Sequence, residues 1–113
     1  MKNQEQRNGI LFIPGYRHSQ NTHLIIRLEG NGNYTIVHLK NESKPLIACQ
    51  TLKYFQDQLP EFVRVSKSSL INPVEIDKII RHGTKKMYLQ LTDSVRVTVS
   101  RGRISEIVTR LTK

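Results

Sequence analysis

The chain reads as a mainly β protein: several short antiparallel sheets with two flanking short helices. Three observations predict this. Apolar residues alternate at period two in many short runs, most cleanly at Val95, Val97 and Val99 with Arg96 and Thr98 between them. Turn signals rich in Gly, Asn, Asp and Pro interrupt those runs every few residues. Only two stretches show helical spacing, and strands do not alternate with helices as they do in parallel α/β folds.

Taken in order, residues 1–9 are polar and aperiodic and read as a flexible N-terminal arm, leaving 10–113 as the folded domain. Residues 10–13 are a short apolar strand closed by Pro14 and Gly15, and residues 23–28 are a second strand. Residues 29–33 hold two glycines and two asparagines and demand turn geometry with positive φ. They join the second strand to residues 34–39 as a hairpin with a polar tip. Residues 45–48 read as an edge strand behind Pro45. Leu52, Phe55 and Leu59 place a short amphipathic helix over 51–59, stopped by Pro60. Residues 62–65 alternate as a strand and run into the polar corner Ser66-Lys67-Ser68-Ser69. Asn72 caps a single helical turn that opens with Pro73. Strands follow at 76–82, 87–91 and 95–99. The closing helix carries Ile104, Ile107, Val108 and Leu111 at i, i+3, i+4 and i+7, with Ser100 as its N-cap.

Charge narrows the function. The 113 residues carry 18 Lys+Arg against 9 Asp+Glu, a formal +9, and such an excess on a small body accelerates encounter with polyanions. Residues 61–113 hold 11 cations and 5 acids, residues 1–60 hold 7 and 4, so the second half builds most of the positive face. Nucleic acid is the partner class this favours, ahead of an anionic membrane surface. No apolar run approaches the roughly 18 residues of a spanning helix, so no transmembrane span is expected; with nucleic acid as the leading partner, the expectation includes no membrane. The single Cys49 excludes an internal disulfide, suits a reducing compartment and reads as a small core residue.

Enzymatic chemistry finds no support. His18, His23, His38 and His82 fall on separate elements, without metal-ligand spacing to one another or to Cys49. Neither a nucleophile elbow nor a phosphate-binding Gly-rich loop is present. The expectation is therefore a non-enzyme with no cofactor and no metal. Two basic corners remain. Lys67 sits among Ser66, Ser68 and Ser69 where a strand ends, and Arg101 and Arg103 flank Gly102 where a strand gives way to a helix. An arginine at a helix start opposes the macrodipole and is better placed to reach outward. Ser100 and the backbone N–H groups beside it suit a phosphate.

The run FVRVSKSSLINPVEIDKI resembles the central signature of LytTR-type DNA-binding domains, through Phe62, Arg64, Ser68, Leu70, Asn72, Ile76 and Ile79. Val97-Thr98-Val99-Ser100-Arg101 before a helix is similar to the family's closing Val-Ser-Arg. Glu29 with Asn33, Tyr34, Val37, His38 and Leu39 resembles its opening motif. The likeness spans residues 10–112. It implies a LytTR-like body that inserts loops, rather than a recognition helix, into successive major grooves of bent duplex DNA. Carried over position by position, it implies base contacts from Asn33, Lys67 and Arg101. Backbone or supporting contacts are implied for Arg64, Ser66, Ser68, Ser69, Ser100 and Arg103. Asn suits adenine and Arg or Lys suits guanine; the remaining groups fix register. This chain has Ser66-Lys67 where the family commonly has His-Arg or His-Lys. The resulting expectation is a cytoplasmic bacterial transcription regulator of the two-component, response-regulator kind, stand-alone or the excised output domain of a longer protein. It is expected to bind double-stranded DNA at paired direct repeats, two copies forming a homodimer on the DNA. The alternatives are a β-rich RNA- or single-strand-binding module and a protein-interaction adaptor.

Overall fold

The computed structural model describes residues 9–112. Of the arm expected at residues 1–9, all but Gly9 lies outside the described residues. The strands are β1 (Ile10–Leu11), β2 (Gln20–Asn21), β3 (Ile25–Asn31), β4 (Tyr34–Leu39), β5 (Leu46–Ala48), β6 (Val63–Ser66), β7 (Ser69–Ile71), β8 (Ile76–His82), β9 (Lys86–Leu91) and β10 (Arg96–Thr98). The helices are α1 (Leu52–Gln56) and α2 (Ile104–Leu111). All pairing is antiparallel. A central sheet runs β5-β4-β3-β7-β6, a second sheet runs β10-β9-β8, and β1 pairs with β2. The fold is thus mainly β with two short helices, as the sequence predicts.

The middle of the central sheet is covered on both faces. Leu28 and Leu70 point to one side and pack with Leu52, Phe55 and Leu59 around α1. Ile26, Val63, Val65 and Ile71 point to the other, against Met87, Leu89, Leu91 and Val97 of the second sheet and Ile104 and Ile107 of α2. Two covered faces explain why apolar residues are adjacent at Ile25-Ile26 and Leu70-Ile71 instead of alternating: each neighbour finds a core. In α2, Ile104 and Ile107 are buried and Val108 and Leu111 pack partly against the same cluster, on the stripe that their spacing predicts.

Several elements differ from the sequence expectation. Leu70 and Ile71 belong to a strand, β7, that a three-residue segment with no alternation does not announce. The second strand begins at Ile25, because the Asn21 side chain accepts the His23 N–H at 2.9 Å and winds Thr22–Leu24 into a 3₁₀ turn. Cys49 is exposed. In β5 the buried position is Ala48, and the next residue leaves the sheet. Ser100 makes no capping bond. A 3₁₀ turn over Arg101–Arg103 intervenes, so Arg103 stands at the N-cap position of α2. Asn72 does cap Pro73–Glu75 as expected: its Oδ1 accepts the Val74 N–H at 3.3 Å, and its Nδ2 donates to the Ile25 carbonyl at 2.9 Å.

Candidate nucleic-acid interface

Strand register sets where the basic corners lie. β3 and β4 are joined by the two residues Gly32 and Asn33, closed by the pair Asn31 and Tyr34. Gly32 takes φ +66° and Asn33 does not take positive φ, the order of a II′ hairpin turn, which matches strand twist. Here the positive φ expected of residues 29–33 is concentrated at Gly32. Gly30 lies within β3 for another reason: a Cβ there would meet Leu52 Cβ at 3.2 Å, so the absence of a side chain lets α1 approach.

The polar corner is also a hairpin. Ser66 pairs with Ser69, leaving Lys67 and Ser68 as the turn between β6 and β7. Neither takes positive φ, so this turn lacks the primed geometry that suits strand twist and needs other support. Arg64 supplies it. Its Nε donates to the Ser66 carbonyl at 2.7 Å and one Nη to the Lys67 carbonyl at 2.6 Å, while the other Nη reaches Gln56 Oε1 on α1 at 2.6 Å. The Ser66 hydroxyl accepts the Ser68 N–H at 3.2 Å. Partial burial, and secondarily the nearby Arg103 guanidinium, lower the Arg64 pKa from its ordinary value; an arginine nevertheless stays charged.

Backbone bonds bring the three segments to one side of the molecule. The Gly30 N–H donates to the Ser68 carbonyl at 2.9 Å, holding the 67–68 turn beside the strand that ends in the 32–33 turn. The register shifts between Arg64 and Ser66, and the Val65 carbonyl at that irregularity accepts the Ser100 N–H at 2.8 Å. Ser100 and Arg101 therefore leave the second sheet next to the 67–68 turn on its other flank. Between the two hairpin tips lies a hollow lined in part by Asn31, Gly32, Lys53, Arg64, Lys67 and Ser68. On the opposite flank, Ser66, Ser68, Ser69 and Ser100 line a second hollow with Arg96 and Thr98.

Asn33, Lys67 and Arg101 are all exposed. Asn33 lies at one tip, Lys67 at the next and Arg101 beyond, so the structure places them in a row rather than in a cluster. Arg103 is half-buried near Arg64. Its N–H donates to the Ser100 carbonyl at 2.8 Å, so that amide is not available to an anion. Among the described residues, no carboxylate lies within ion-pair distance of Arg64, Lys67, Arg96, Arg101 or Arg103; the nearby Glu29 is engaged by Arg27 and His38. Sequence reasoning missed Arg96 and Thr98 as members of this surface. The signal was present: they are the outward positions of the period-two run that leads into Ser100. Asn31 lies within the turn signal of residues 29–33, whereas Lys53 joins only through tertiary packing and no local pattern marks it.

A β body that presents three polar segments along one side, two of them bearing cations without carboxylate partners among the described residues, is of the class that suits nucleic-acid binding. The family model for the LytTr DNA-binding domain matches residues 17–112. The chain belongs to that family. No curated protein matches the chain. Among solved structures, the chain is similar to the LytTr DNA-binding domain of a Bacillus cereus protein described as a methyl-accepting/DNA response regulator. The TM-score is 0.73 at 21% identity, covering 90% of this chain and 94% of that one. No described helix is long and apolar enough to cross a membrane, and no described group of His, Cys, Asp and Glu is arranged to hold a metal.

Proposed function

We propose that this domain is the sequence-reading part of a bacterial, cytoplasmic transcription regulator of the two-component type, and that it binds duplex DNA by inserting its tips into successive major grooves. Asn33, Lys67 and Arg101 read bases. Ser66, Ser68, Ser69, Ser100 and Arg103 hold phosphates, and Arg64 acts mainly as the support of the Lys67 turn. Two copies bind paired direct repeats. The observation that carries this reading is the pair of backbone bonds, Gly30 to Ser68 and Ser100 to Val65, which fix three polar tips in one row. Phosphate contacts position such a row and base contacts give it specificity. A single-strand reading is less well served: stacking platforms need neighbouring exposed rings, whereas Phe55 and Phe62 are buried, the Arg96 guanidinium sits over Tyr88 at 5.8 Å, and of the exposed rings Phe12, Tyr34 and Tyr54 it is Tyr34 alone that closes one of the tips.

Selection of bound duplexes from a random pool, followed by a salt titration, tests this. About six phosphate contacts give a log–log slope near −5. Arg101→Ala is expected to cost about 1–3 kcal/mol and to relax one base position. A salt-insensitive affinity, or equal competition by single strands, contradicts the proposal. Equal weakening of all sequences by Arg101→Ala makes Arg101 a phosphate clamp instead of a reader.

A further inference from the structure

The β8–β9 hairpin has no role in the three-tip reading, yet beyond Asp77 near its start it carries cations without acids. Residues 78–92 contain Lys78, Arg81, Lys85 and Lys86 and no Asp or Glu. All four cations are exposed, and none lies within ion-pair distance of a carboxylate among the described residues. Three of them crowd the tip. His82 pairs with Lys86 across the turn of residues 83–85, where Gly83 takes φ +68°, and Arg81 folds over that turn toward the Gly83 carbonyl at 3.5 Å.

Register places this tip at the end of the row already described. Thr98 pairs with Tyr88, and the Val99 N–H continues the ladder to the Met87 carbonyl at 2.9 Å. The next residue, Ser100, departs beside Lys86, on the order of one strand spacing away (~5 Å), and bonds to Val65 instead. The order along one side of the molecule is therefore the Asn33 tip, the Lys67 tip, the Ser100–Arg101 departure and then the β8–β9 tip. A duplex lying along the first three meets the fourth just past Arg101.

We propose that Arg81, Lys85 and Lys86 form a phosphate clamp for the duplex flanking the read bases, a fourth contact that adds affinity without adding sequence preference. The clamp rests on the DNA-reading proposal above. Lysine and arginine at a hairpin tip deliver charge to phosphate oxygens, and each neutralised phosphate releases condensed counterions. Arginine, lysine and threonine can also reach base edges, so it is the place of this tip past Arg101, outside the three-tip row, that assigns its cations to phosphates.

The test uses the full chain and a duplex chosen by selection. It compares the wild type with the triple variant Arg81→Gln, Lys85→Gln, Lys86→Gln on a long duplex and on one trimmed to the selected bases. If all three cations engage, the salt slope shrinks by about 2–3 and affinity on the long duplex falls roughly hundredfold near 0.15 M salt. The selected base preference stays the same, and on the trimmed duplex the two proteins converge. Backbone footprinting is expected to lose protection only outside the selected bases. Lys85→Gln alone, in the turn, is the control against misfolding; it is expected to lower the slope by about 0.9 with an unchanged melting temperature. Unchanged slope and footprint in the triple variant overturn the clamp while leaving three-tip reading intact. Failure of the wild type to bind any duplex overturns both.

Discussion

Arg64 is where the support of the fold and the reading surface meet, and its replacement separates the two. Of its three hydrogen bonds, those to the Ser66 carbonyl and to Gln56 Oε1 are partly shielded and that to the Lys67 carbonyl is exposed. Water replaces the exposed bond at little net loss. The two shielded, charge-assisted bonds contribute about 1–1.5 kcal/mol each. Arg64→Ala is therefore expected to lower stability by about 2–3 kcal/mol, a fall of roughly 10–15 °C in melting temperature. Arg64→Lys is the sharper test. It keeps the charge but loses the fork, and one ammonium does not span two turn carbonyls and a glutamine on α1 as a planar guanidinium does. If Arg64 is a support, Lys fails almost as badly as Ala in melting temperature, and specificity falls while the salt slope stays put. If Arg64 instead binds a phosphate, Lys substitutes well and Ala reduces the slope by about 0.9. Paired thermal melts and salt titrations of both variants decide. Wild-type melting and specificity in Arg64→Lys would refute the support argument.

Three further outcomes follow from the same packing. Gly30→Val forces branched methyls toward Leu52 and is expected to destabilise by about 1–3 kcal/mol through overpacking, read in a denaturant titration. Asn72→Ala removes the cap on Pro73–Glu75 and leaves the buried Ile25 carbonyl without its Asn72 partner. Its cost is about 2–3 kcal/mol, whereas Asn72→Asp, which keeps only the cap acceptor, recovers little of it. Lys67→Ala is expected to change stability by less than about 0.5 kcal/mol, because among the described residues no hydrogen bond or ion pair of the Lys67 side chain holds it to the body. It should nevertheless shift the bases recovered by selection at one position.

The sequence was most legible where one local rule decides. The period-two run ending at Val99 and the i, i+3, i+4, i+7 stripe of α2 are both found where expected. Gly32 was legible as a turn because positive φ favours glycine there. Legibility failed where tertiary structure overrides the local pattern. β7 is invisible because its two apolar residues serve opposite cores. Cys49 read as core because three apolar residues precede it, but β5 ends at Ala48 and the alternation ends with it. Ser100 had the right residue type for a cap, yet its N–H is drawn to Val65 and its hydroxyl caps nothing. For the candidate site, sequence pattern and family resemblance named residues in three separate segments. Their order along one side depends on the pairing of β3 with β7 and on the bond between Ser100 and Val65, and neither follows from any short window of the chain.

That arrangement has a consequence for how the surface can change. The groups holding the tips in place are backbone amides, Arg64, Gly30 and the buried residues of two clusters; the groups proposed to read, Asn33, Lys67 and Arg101, are exposed. Substitution of an exposed side chain away from packing and capping costs within about 0.5 kcal/mol, so the reading set can be exchanged almost independently of stability. Ser66 and Lys67 illustrate the limit. The Lys67 side chain has no partner among the described residues, but the Ser66 hydroxyl accepts the Ser68 N–H in a turn that already lacks favourable geometry. A histidine at 66, as the family commonly carries, must satisfy or forgo that bond, whereas an arginine at 67 need satisfy nothing. The second position of the turn is therefore the freer one for retuning specificity, and the first is tied to the shape of the tip.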